Sequence, residues 1–298
     1  MNNANFNISQ LIKTSPVYVK LILINVAVFF LIHAVFAFER LTGKTELHSF
    51  GILDSIFTLS TRPIEILFKP WTVVTSIFAH YDFMHLLMNM LFFYLSSKIF
   101  KLFFSDRRLI HVYILGGIAG GLFEVLIRLF IPDLADAKIL GASGAIMAVF
   151  TALAFHRPMM KVSVFILEVP LILLVGLFIL SDFINIGTGD HTAHFAHLGG
   201  ALIGFLSVRN LHSSKNIINF SEKTTAKIKV YFSNMFKSKP KMKVEKGERT
   251  AKTDEQFNAE KKLKQDEINK ILDKISKSGY DSLSKAEKEF LFSQSNKR

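Results

Sequence analysis

The sequence predicts an all-α, polytopic membrane protein, with a bundle of six transmembrane helices followed by a basic linker and a small helical hairpin. Half of the 298 residues are hydrophobic, 30 of them are Phe, and only 20% are charged. Such a composition is typical of chains whose apolar side chains face lipid. Six apolar stretches approach the roughly 20 residues that a helix needs to cross a bilayer. These candidate spans are Val17–Phe38, Phe83–Phe104, Leu109–Ile131, Ala142–His156, Val162–Ser181 and Thr192–Val208.

The positive charge is concentrated in the last part of the chain. Residues 1–208 carry 14 Lys and Arg against 12 Asp and Glu, whereas residues 209–298 carry 22 against 12. A basic segment directly after a membrane span is typical of cytoplasmic placement and of contact with anionic lipid. We therefore do not expect nucleic acid as a partner. The chain has no cysteine, which excludes disulfides, zinc–thiolate sites and thiol proteases.

The Lys and Arg residues of the connecting segments predict the orientation of the spans. They lie mostly before span one, between spans two and three, between spans four and five, and after span six, which places both termini in the cytoplasm. The first apolar run is longer than the core of a signal peptide and is interpreted as a membrane span. The long first loop, residues 39–79, departs from this pattern because it holds Arg40, Lys44, Arg62 and Lys69. Its apolar patches predict that it lies partly in the interface, on the outer face.

Composition divides the chain into four parts. Residues 1–16 form a cytoplasmic N-terminal segment, and residues 17–208 form the six-helix domain. Residues 209–264 are polar and Lys-rich, which predicts a solvated linker. Residues 265–298 regain apolar residues at helical spacing, with Gly279 as a C-cap and a capping box from Ser284 to Glu287. These last residues predict a small helical module in the cytoplasm.

Polar residues inside a membrane are costly and are therefore candidates for function. In this chain they fall into three short stretches, at the start of spans two, four and six. The three sets are His80, His85 and Asn89; Gly141, Ser143 and Gly144; and His194, His197, Gly200 and Gly204.

Ser143 is the candidate nucleophile. Span four is short and follows a polar stretch, so its helix is expected to begin at a water-filled cavity. Gly141 and Gly144 flank the serine and allow close approach of a substrate, while the helix N-terminus offers free N–H groups to an oxyanion. A lone serine in a membrane helix more often only packs and bonds to its own helix; the flanking glycines favour the nucleophile.

His197 is the candidate base, because a serine nucleophile needs one. Gly200 and Gly204 follow it at the spacing that lets two membrane helices touch at backbone distance. If that face packs on the small residues that open span four, the imidazole reaches Ser143. For either residue alone, a structural role would be the simpler interpretation.

His85 and Asn89 are four residues apart and share one face of span two. Both side chains offer neutral donors, which suit an oxyanion in a site of low dielectric constant. The alternative is a buried polar pair that holds helices together.

The three stretches, in this order, resemble the motifs of the rhomboid proteases. They read H-x4-H-x3-N from His80 to Asn89, G-x-S-G from Gly141 to Gly144, and A-H-x-x-G-x-x-x-G from Ala196 to Gly204. The resemblance covers residues 17–208 and includes a Trp nine residues before His80, as in the first loop of bacterial members. The C-terminal module is similar to one seen on other bacterial rhomboids.

The resemblance implies an intramembrane serine endopeptidase that cuts transmembrane proteins in the lipid bilayer without a metal or cofactor. Ser143 and His197 would form a dyad with no acidic third member. The oxyanion hole would combine His85, Asn89 and the backbone N–H of Ser143. The connection Asp182–His191, with its glycines, would be a flexible cap, and span five would be the gate for substrate. Placement in the cell inner membrane is implied, with the site open to the periplasmic face.

Three positions depart from the family pattern. Thr72 replaces the Arg of a Trp-Arg pair, Lys101 replaces an acidic residue near the end of span two, and Met147 replaces an aromatic residue expected to stack on the catalytic histidine. A thioether can also pack against an imidazole edge, and none of the three changes removes a catalytic atom.

Two other functions are open at this point. One is an inactive rhomboid-like protein that binds membrane clients, although inactive relatives typically lack the Ser or the His. The other is a metal transporter or metalloprotease, for which a chelator would be the discriminating test. Its four candidate ligands are His80, His85, His194 and His197. The substrate, the oligomeric state and the partner of the tail are not identified by the sequence.

Overall fold

The computed structural model describes residues 13–43, 47–131, 134, 136–164, 166–187, 192–236 and 253–295. The chain divides into two compact units, residues 1–237 and residues 238–298. The helices of the first unit are α1 (Val17–Leu41), α2 (Leu47–Phe57), α3 (Pro63–Phe68), α4 (Thr72–Thr75), α5 (Phe83–Phe100), α6 (Asp106–Phe130), α7 (Ser143–His156), α8 (Leu171–Asn185), α9 (His194–Val208) and α10 (Ile217–Phe236). Its strands are β1 (Leu59–Ser60), β2 (Lys138–Ile139), β3 (Lys161–Val164) and β4 (Leu167–Pro170).

The predicted helical membrane bundle is confirmed. Helices α1, α5 and α6 are long and apolar enough to cross a membrane, whereas α7, α8 and α9 are apolar helices of 14 or 15 residues. At about 1.5 Å per residue, these three are shorter than the hydrocarbon core is thick. Large apolar side chains of α1 and α5, such as Phe30 and Phe83, are more than 60% exposed, as expected of surfaces that face lipid.

Helices α6, α7 and α9 form the centre of the bundle, and glycine lets them pack at backbone distance. A Cβ on Gly200 of α9 would lie 2.0 Å from the carbonyl oxygen of Gly144 on α7. On Gly204 it would lie 2.4 Å from the carbonyl oxygen of Ala148. The predicted contact between the glycine face of span six and the start of span four is therefore present. The buried core around it includes Phe93, Tyr113 and Leu153.

The first loop is folded and is tied to the segment that precedes Ser143. Strands β1 and β2 pair antiparallel, with Leu59 opposite Ile139. Arg62 forms an ion pair with Asp136 at 2.6 Å, and Lys138 forms one with Asp54. These contacts hold the residues that lead into α7, since β2 ends two residues before Gly141.

The fifth span differs from its prediction. Residues 161–170 form the β3–β4 hairpin, with Val162 opposite Val169, and helix α8 begins only at Leu171. Pro170 explains the boundary, because proline disfavours helix in the residue before it and removes a backbone donor inside a helix. Lys161 and Glu168 pair across the hairpin at 3.6 Å. The second span is also shorter than predicted, ending at Phe100.

The expected basic linker, residues 209–264, contains more structure than its composition predicted. Helix α10 belongs to the first unit, and Ile218 at its start is fully buried in the core of the bundle. Arg108 of α6, which is only 8% exposed, donates to the side chains of Asn216 and Asn219 and to the carbonyl of Ser207. A buried guanidinium needs such acceptors, and residues beyond α9 supply two of them.

The second unit contains α11 (Asp254–Ser278) and α12 (Lys285–Ser295). Helix α11 begins at Asp254, whereas the module was predicted to begin at residue 265. Thr253 and Gln256 form a capping box at its start. Two sequence predictions are confirmed here. Gly279 caps α11 with a positive φ of 74°, and Ser284 and Glu287 form a reciprocal capping box at the start of α12.

Candidate active site

Ser143 is the first residue of α7 and follows a sharp backbone turn. Gly141 has a φ of +117°, a conformation that only glycine adopts readily, and its N–H donates to the carbonyl of Ser76 at 2.9 Å. A Cβ at Gly141 would lie 2.9 Å from the Cε1 atom of His85. Glycine is therefore required both for the turn and for the close approach of His85 to the backbone before the serine.

His197 lies in the first turn of α9, next to the turn that carries Ser143. The neighbours of the two residues are in contact, because a Cβ on Gly144 would lie 3.0 Å from the carbonyl oxygen of Ala196. The contact of Gly200 with Gly144 continues this packing one turn further. The short side chains of the two helices thus bring the candidate nucleophile and base to one place.

A cavity of about 630 Å³ opens at this point. Helices α5, α7 and α9 all begin at its wall, so the polar residues that open each helix meet there. One part of its lining consists of the candidate catalytic residues, and another part is apolar and includes Met88 and Phe92. The predicted site residues that line it are His85, Asn89, Gly141, Ser143, Gly144 and His197.

His80 is fully buried and holds two groups of the site. Its Nε2 lies 3.0 Å from the side-chain nitrogen of Asn89 and 3.3 Å from the backbone nitrogen of Ala142. Both partners are donors, so Nε2 of His80 is the acceptor and does not carry the proton. The ring of His85 stands edge-on to that of His80, with centroids 5.0 Å apart. His80 therefore orients Asn89 and does not itself line the cavity.

An acidic residue, Asp182, contacts the candidate base. Its Oδ1 lies 2.8 Å from Nδ1 of His197 and 2.9 Å from Nδ1 of His194. The resemblance implies a dyad with no acidic member and places Asp182 at the start of a flexible cap. The structure differs on the second point, because α8 continues to Asn185 and includes Asp182. Gly189 and His191 of that connection lie outside the described residues.

A second carboxylate supports the start of α9 from α6. Glu124, which is 1% exposed, accepts from the backbone N–H of Ala196 at 3.1 Å and pairs with Arg128 at 2.7 Å. The same N–H also donates to the carbonyl of Ala193, the N-cap of α9, at 3.0 Å. Glu124 is therefore its second acceptor and supports the first turn of α9 beside His197. Sequence reasoning missed both acidic residues, although an acidic side chain within an apolar span is a signal that could have identified them.

The three departures from the family pattern are accommodated outside the cavity wall. Thr72 is buried in α4 and donates to the carbonyl of Lys69 at 2.7 Å. Lys101, at the end of α5, forms an ion pair with Asp106 at the start of α6. Met147 is buried in α7, one turn after Ser143. Trp71 donates from Nε1 to the carbonyl of Ser55 at 3.0 Å and so fastens the first loop.

The four histidines of the alternative metal site are not gathered into one ligand set in the part of the chain that the structure describes. The group there with metal-ligand geometry is Asp182, His194 and His197, whose ligand atoms lie within 4.8 Å of one another. Direct hydrogen bonds of 2.8 and 2.9 Å already join these three side chains.

Comparisons with known proteins agree with this architecture. Residues 68–214 match the Rhomboid domain, and residues 251–297 match a family of unknown function, DUF6576. RHOMBOID-like protein 12, mitochondrial, of Arabidopsis thaliana is 28% identical over 151 residues, which are 46% of this chain and 45% of that protein. Rhomboid protein 1, mitochondrial, of Saccharomyces cerevisiae is 30% identical over 145 residues, which are 45% of this chain and 40% of that protein. The chain thus matches less than half of the length of either relative. With the domain match, the related proteins and the helical membrane bundle in agreement, this chain contains a domain of the rhomboid family.

Proposed function

We propose that this protein is an intramembrane serine endopeptidase, with Ser143 as nucleophile and His197 as general base and acid. The observation that carries the proposal is the single cavity lined by Ser143, His197, His85 and Asn89. A nucleophile, a base and two neutral hydrogen-bond donors around one space are the groups that acyl transfer requires. No metal or cofactor enters the proposed reaction.

The proposed reaction has two halves. The Oγ of Ser143 attacks the substrate carbonyl carbon while its proton passes to Nε2 of His197, which forms a tetrahedral oxyanion. The C–N bond then breaks, and His197 gives the proton to the leaving amine. In the second half, water attacks the acyl-enzyme and loses a proton to His197. The ester bond to Ser143 breaks, and the proton returns to Oγ.

The proposed oxyanion hole consists of His85, Asn89 and the backbone N–H of Ser143. Asn89 uses one amide proton toward His80, which leaves the other for the oxyanion. Ser143 is the first residue of α7, and the N–H of a first helical residue has no partner in its own helix. Neutral donors are suited to a site that excludes water, because they need no counter-charge.

We propose transmembrane proteins as substrates and the lipid bilayer as the environment. The six apolar helices α1 and α5–α9 are proposed as spans, with both termini in the cytoplasm. The cavity would then open toward the outer face of a cell inner membrane. The support is the common direction of α5, α7 and α9, which all start at the cavity, together with the basic residues that follow α9.

A fluorophosphonate probe tests the nucleophile and its base together. In detergent it is expected to label Ser143, and both Ser143→Ala and His197→Ala are expected to abolish labelling, because the hydroxyl needs its base. Matched controls are Ser181→Ala, an exposed serine of α8, and His33→Ala, whose ring bonds to the carbonyl of Phe29 in α1. Both controls should be labelled like the wild type.

Cleavage of a membrane-spanning reporter completes the test. Wild type should cut the reporter and Ser143→Ala should not, with or without EDTA. Labelling that persists in Ser143→Ala would place the nucleophile elsewhere. Loss of cleavage in EDTA would favour the metal-dependent alternative, and a correctly folded wild type that is neither labelled nor active would be an inactive client-binding protein.

A further inference from the structure

Asp182 has the chemistry to determine which nitrogen of His197 carries the proton. Its Oδ1 lies 2.8 Å from Nδ1 of His197, and the side chain is only 10% exposed. An ionised carboxylate only accepts hydrogen bonds, so Nδ1 of His197 must donate. A neutral imidazole has one proton, and Nε2 is then the unprotonated nitrogen that can accept a proton from Ser143.

The second contact of the same oxygen supports the ionised form. Nδ1 of His194 lies 2.9 Å from Oδ1 of Asp182. A protonated carboxyl has one proton to donate, whereas a carboxylate can accept from both imidazoles at once. A buried carboxylate is stable only when such donors surround it, and His194 supplies the donor that His197 alone would not.

We propose that Asp182 is a positioning residue that holds His197 in the tautomer in which Nε2 serves as the base for Ser143. The inference rests on the proposed function and adds to it a third side chain, contributed by α8. Asp182 does not line the cavity, so it acts on the reaction only through His197.

The location of Asp182 links the base to the packing of α8. It is the one charged residue in a helix whose sequence is otherwise apolar or neutral, from Leu171 to Asn185. Placing a charge there is costly, and the two histidines of α9 are what compensate it. His197 therefore has its acceptor only while α8 packs against α9, so a complete site requires both helices.

The test compares Asp182→Asn with wild type in the full-length protein in detergent. Asn has nearly the shape of Asp, but its amide nitrogen can donate to Nδ1 and so favours the opposite tautomer of His197. The labelling rate of Ser143 and the kcat for the reporter are expected to fall together by about 10²- to 10⁴-fold, with little change in KM. Ser181→Ala, the adjacent exposed residue of α8, is the matched control and should retain wild-type rates.

A direct readout of the tautomer separates positioning from helix packing. In ¹⁵N spectra, the His197 ring, assigned by its absence in His197→Ala, should be protonated at Nδ1 in wild type and lose this signature in Asp182→Asn. The melting temperature of each variant shows whether it is folded. Val175→Ala, which loosens the fully packed side of α8 but keeps the carboxylate, should retain the Nδ1 signature.

The outcomes distinguish this inference from the proposed function. One outcome overturns the positioning role and leaves the proposed peptidase function intact. In it, the wild type is active, and the folded Asp182→Asn variant is labelled and cleaves within about twofold of the wild type, with the same ¹⁵N pattern. A wild type that is neither labelled nor active overturns the proposed function, while the ¹⁵N spectra still report whether Asp182 fixes the His197 tautomer.

Discussion

The side-chain amide of Asn89 has two protons, of which one is donated to His80 and the other is available to a ligand in the cavity. Nε2 of His80 accepts the first at 3.0 Å, and the amide lies at the cavity wall beside His85. An oriented donor needs little reorganisation when negative charge forms near it, which is the condition for stabilising a transition state. His80 therefore belongs to the site through Asn89.

We expect His85→Ala and Asn89→Ala each to lower kcat by about 10²-fold, as the loss of one oxyanion donor does elsewhere. KM should change little, because the charge that these donors stabilise forms only in the transition state. Steady-state kinetics on the membrane reporter measures both constants. Met88→Ala is the matched control, since Met88 lines the same cavity without a donor. If the double variant has nearly wild-type turnover, His85 and Asn89 do not stabilise the oxyanion and only hold helices together.

Glu287 makes the stability of the second unit depend on pH. Its carboxylate accepts from Nζ of Lys274 and from the backbone N–H of Ser284, and these bonds, with that of Lys274 the largest cause, lower the pKa of Glu287 from 4.5 to about 2. A carboxyl group with a lowered pKa stabilises the fold while it is ionised. Its contribution is complete above pH 4.5 and is lost as the pH falls from there toward 2.

Hydrogen exchange of α12, corrected for intrinsic rates, should therefore show less protection at about pH 3 than at about pH 5. Glu287→Gln should have the weaker protection already at the higher pH and lose less on acidification. The change is expected to be small, because exposed ion pairs contribute little. Glu289→Gln, on the same helix and without a hydrogen bond or ion pair among the described residues, should behave as wild type. Equal behaviour of both variants would contradict the assignment.

Sequence reasoning proposed Ser143 and His197 as a pair because their flanking glycines are local and visible in the sequence, and both residues line one cavity in the structure. The close approach of Gly141 to His85 follows the same rule. Asp182 could not be paired with His197 in this way, since the contact joins two helices and depends on where α8 ends. The predicted boundary of span five placed Asp182 in a connection, and a carboxylate in a connection would have been solvated.

At the scale of elements, the spacing between α7 and α9 is set by glycine. A Cβ on Gly200 would lie 2.0 Å from the carbonyl oxygen of Gly144 and 2.8 Å from its carbonyl carbon. Backbone atoms cannot rotate away as a flexible side chain does, so the helices would have to separate. Separation would move His197 relative to Ser143, since both lie within one turn of the contact.

Gly200→Ala should therefore lower the stability by about 1–3 kcal/mol, as overpacking of a core does, and should reduce reporter cleavage. Thermal unfolding in detergent and reporter kinetics measure the two effects. Gly176→Ala in α8 is the matched control, because a Cβ there meets nothing within 4 Å. That control should be neutral or slightly stabilising, since alanine favours helix over glycine. An unchanged melting temperature in Gly200→Ala would show that the helices can adjust.

The elements that the sequence predicted best are those with long apolar runs, such as α1 and α6. The β3–β4 hairpin was missed because Val162, Val164 and Val169 continue the apolar run of the following helix, and periodicity does not separate a short apolar strand from helix. Helix α10 was missed for a different reason. Its Lys residues dominate the composition, while the residues that fix it to the bundle, such as Ile218, are few.

At the scale of the whole molecule, the end of the folded bundle lies beyond α9. The guanidinium of Arg108 is held by Ser207, Asn216 and Asn219, and the side-chain amide of Asn216 in turn donates to the carbonyls of Ser207 and Arg209. Asn216 and Asn219 thus complete a polar cluster with Arg108 of α6 and Ser207 of α9, and the removal of residues 211–236 would leave a buried cation without two of its acceptors.

Two truncations locate this boundary. A chain that ends at residue 237 retains the cluster and every proposed catalytic group, so it should insert, melt near the wild-type temperature and cleave the reporter with little loss. A chain that ends at Asn210 loses Asn216, Asn219 and Ile218, and leaving a buried charged group unsatisfied costs about 1–3 kcal/mol or more. It should have a lower melting temperature and cleave less of the reporter.

Because the deleted Lys and Arg also bias orientation, protease protection must show that both chains insert as the full-length protein does. If the longer chain inserts correctly but does not cleave, residues 238–298 take part in recruiting or regulating substrate. If the shorter chain is as stable as the longer one, Arg108 does not depend on α10.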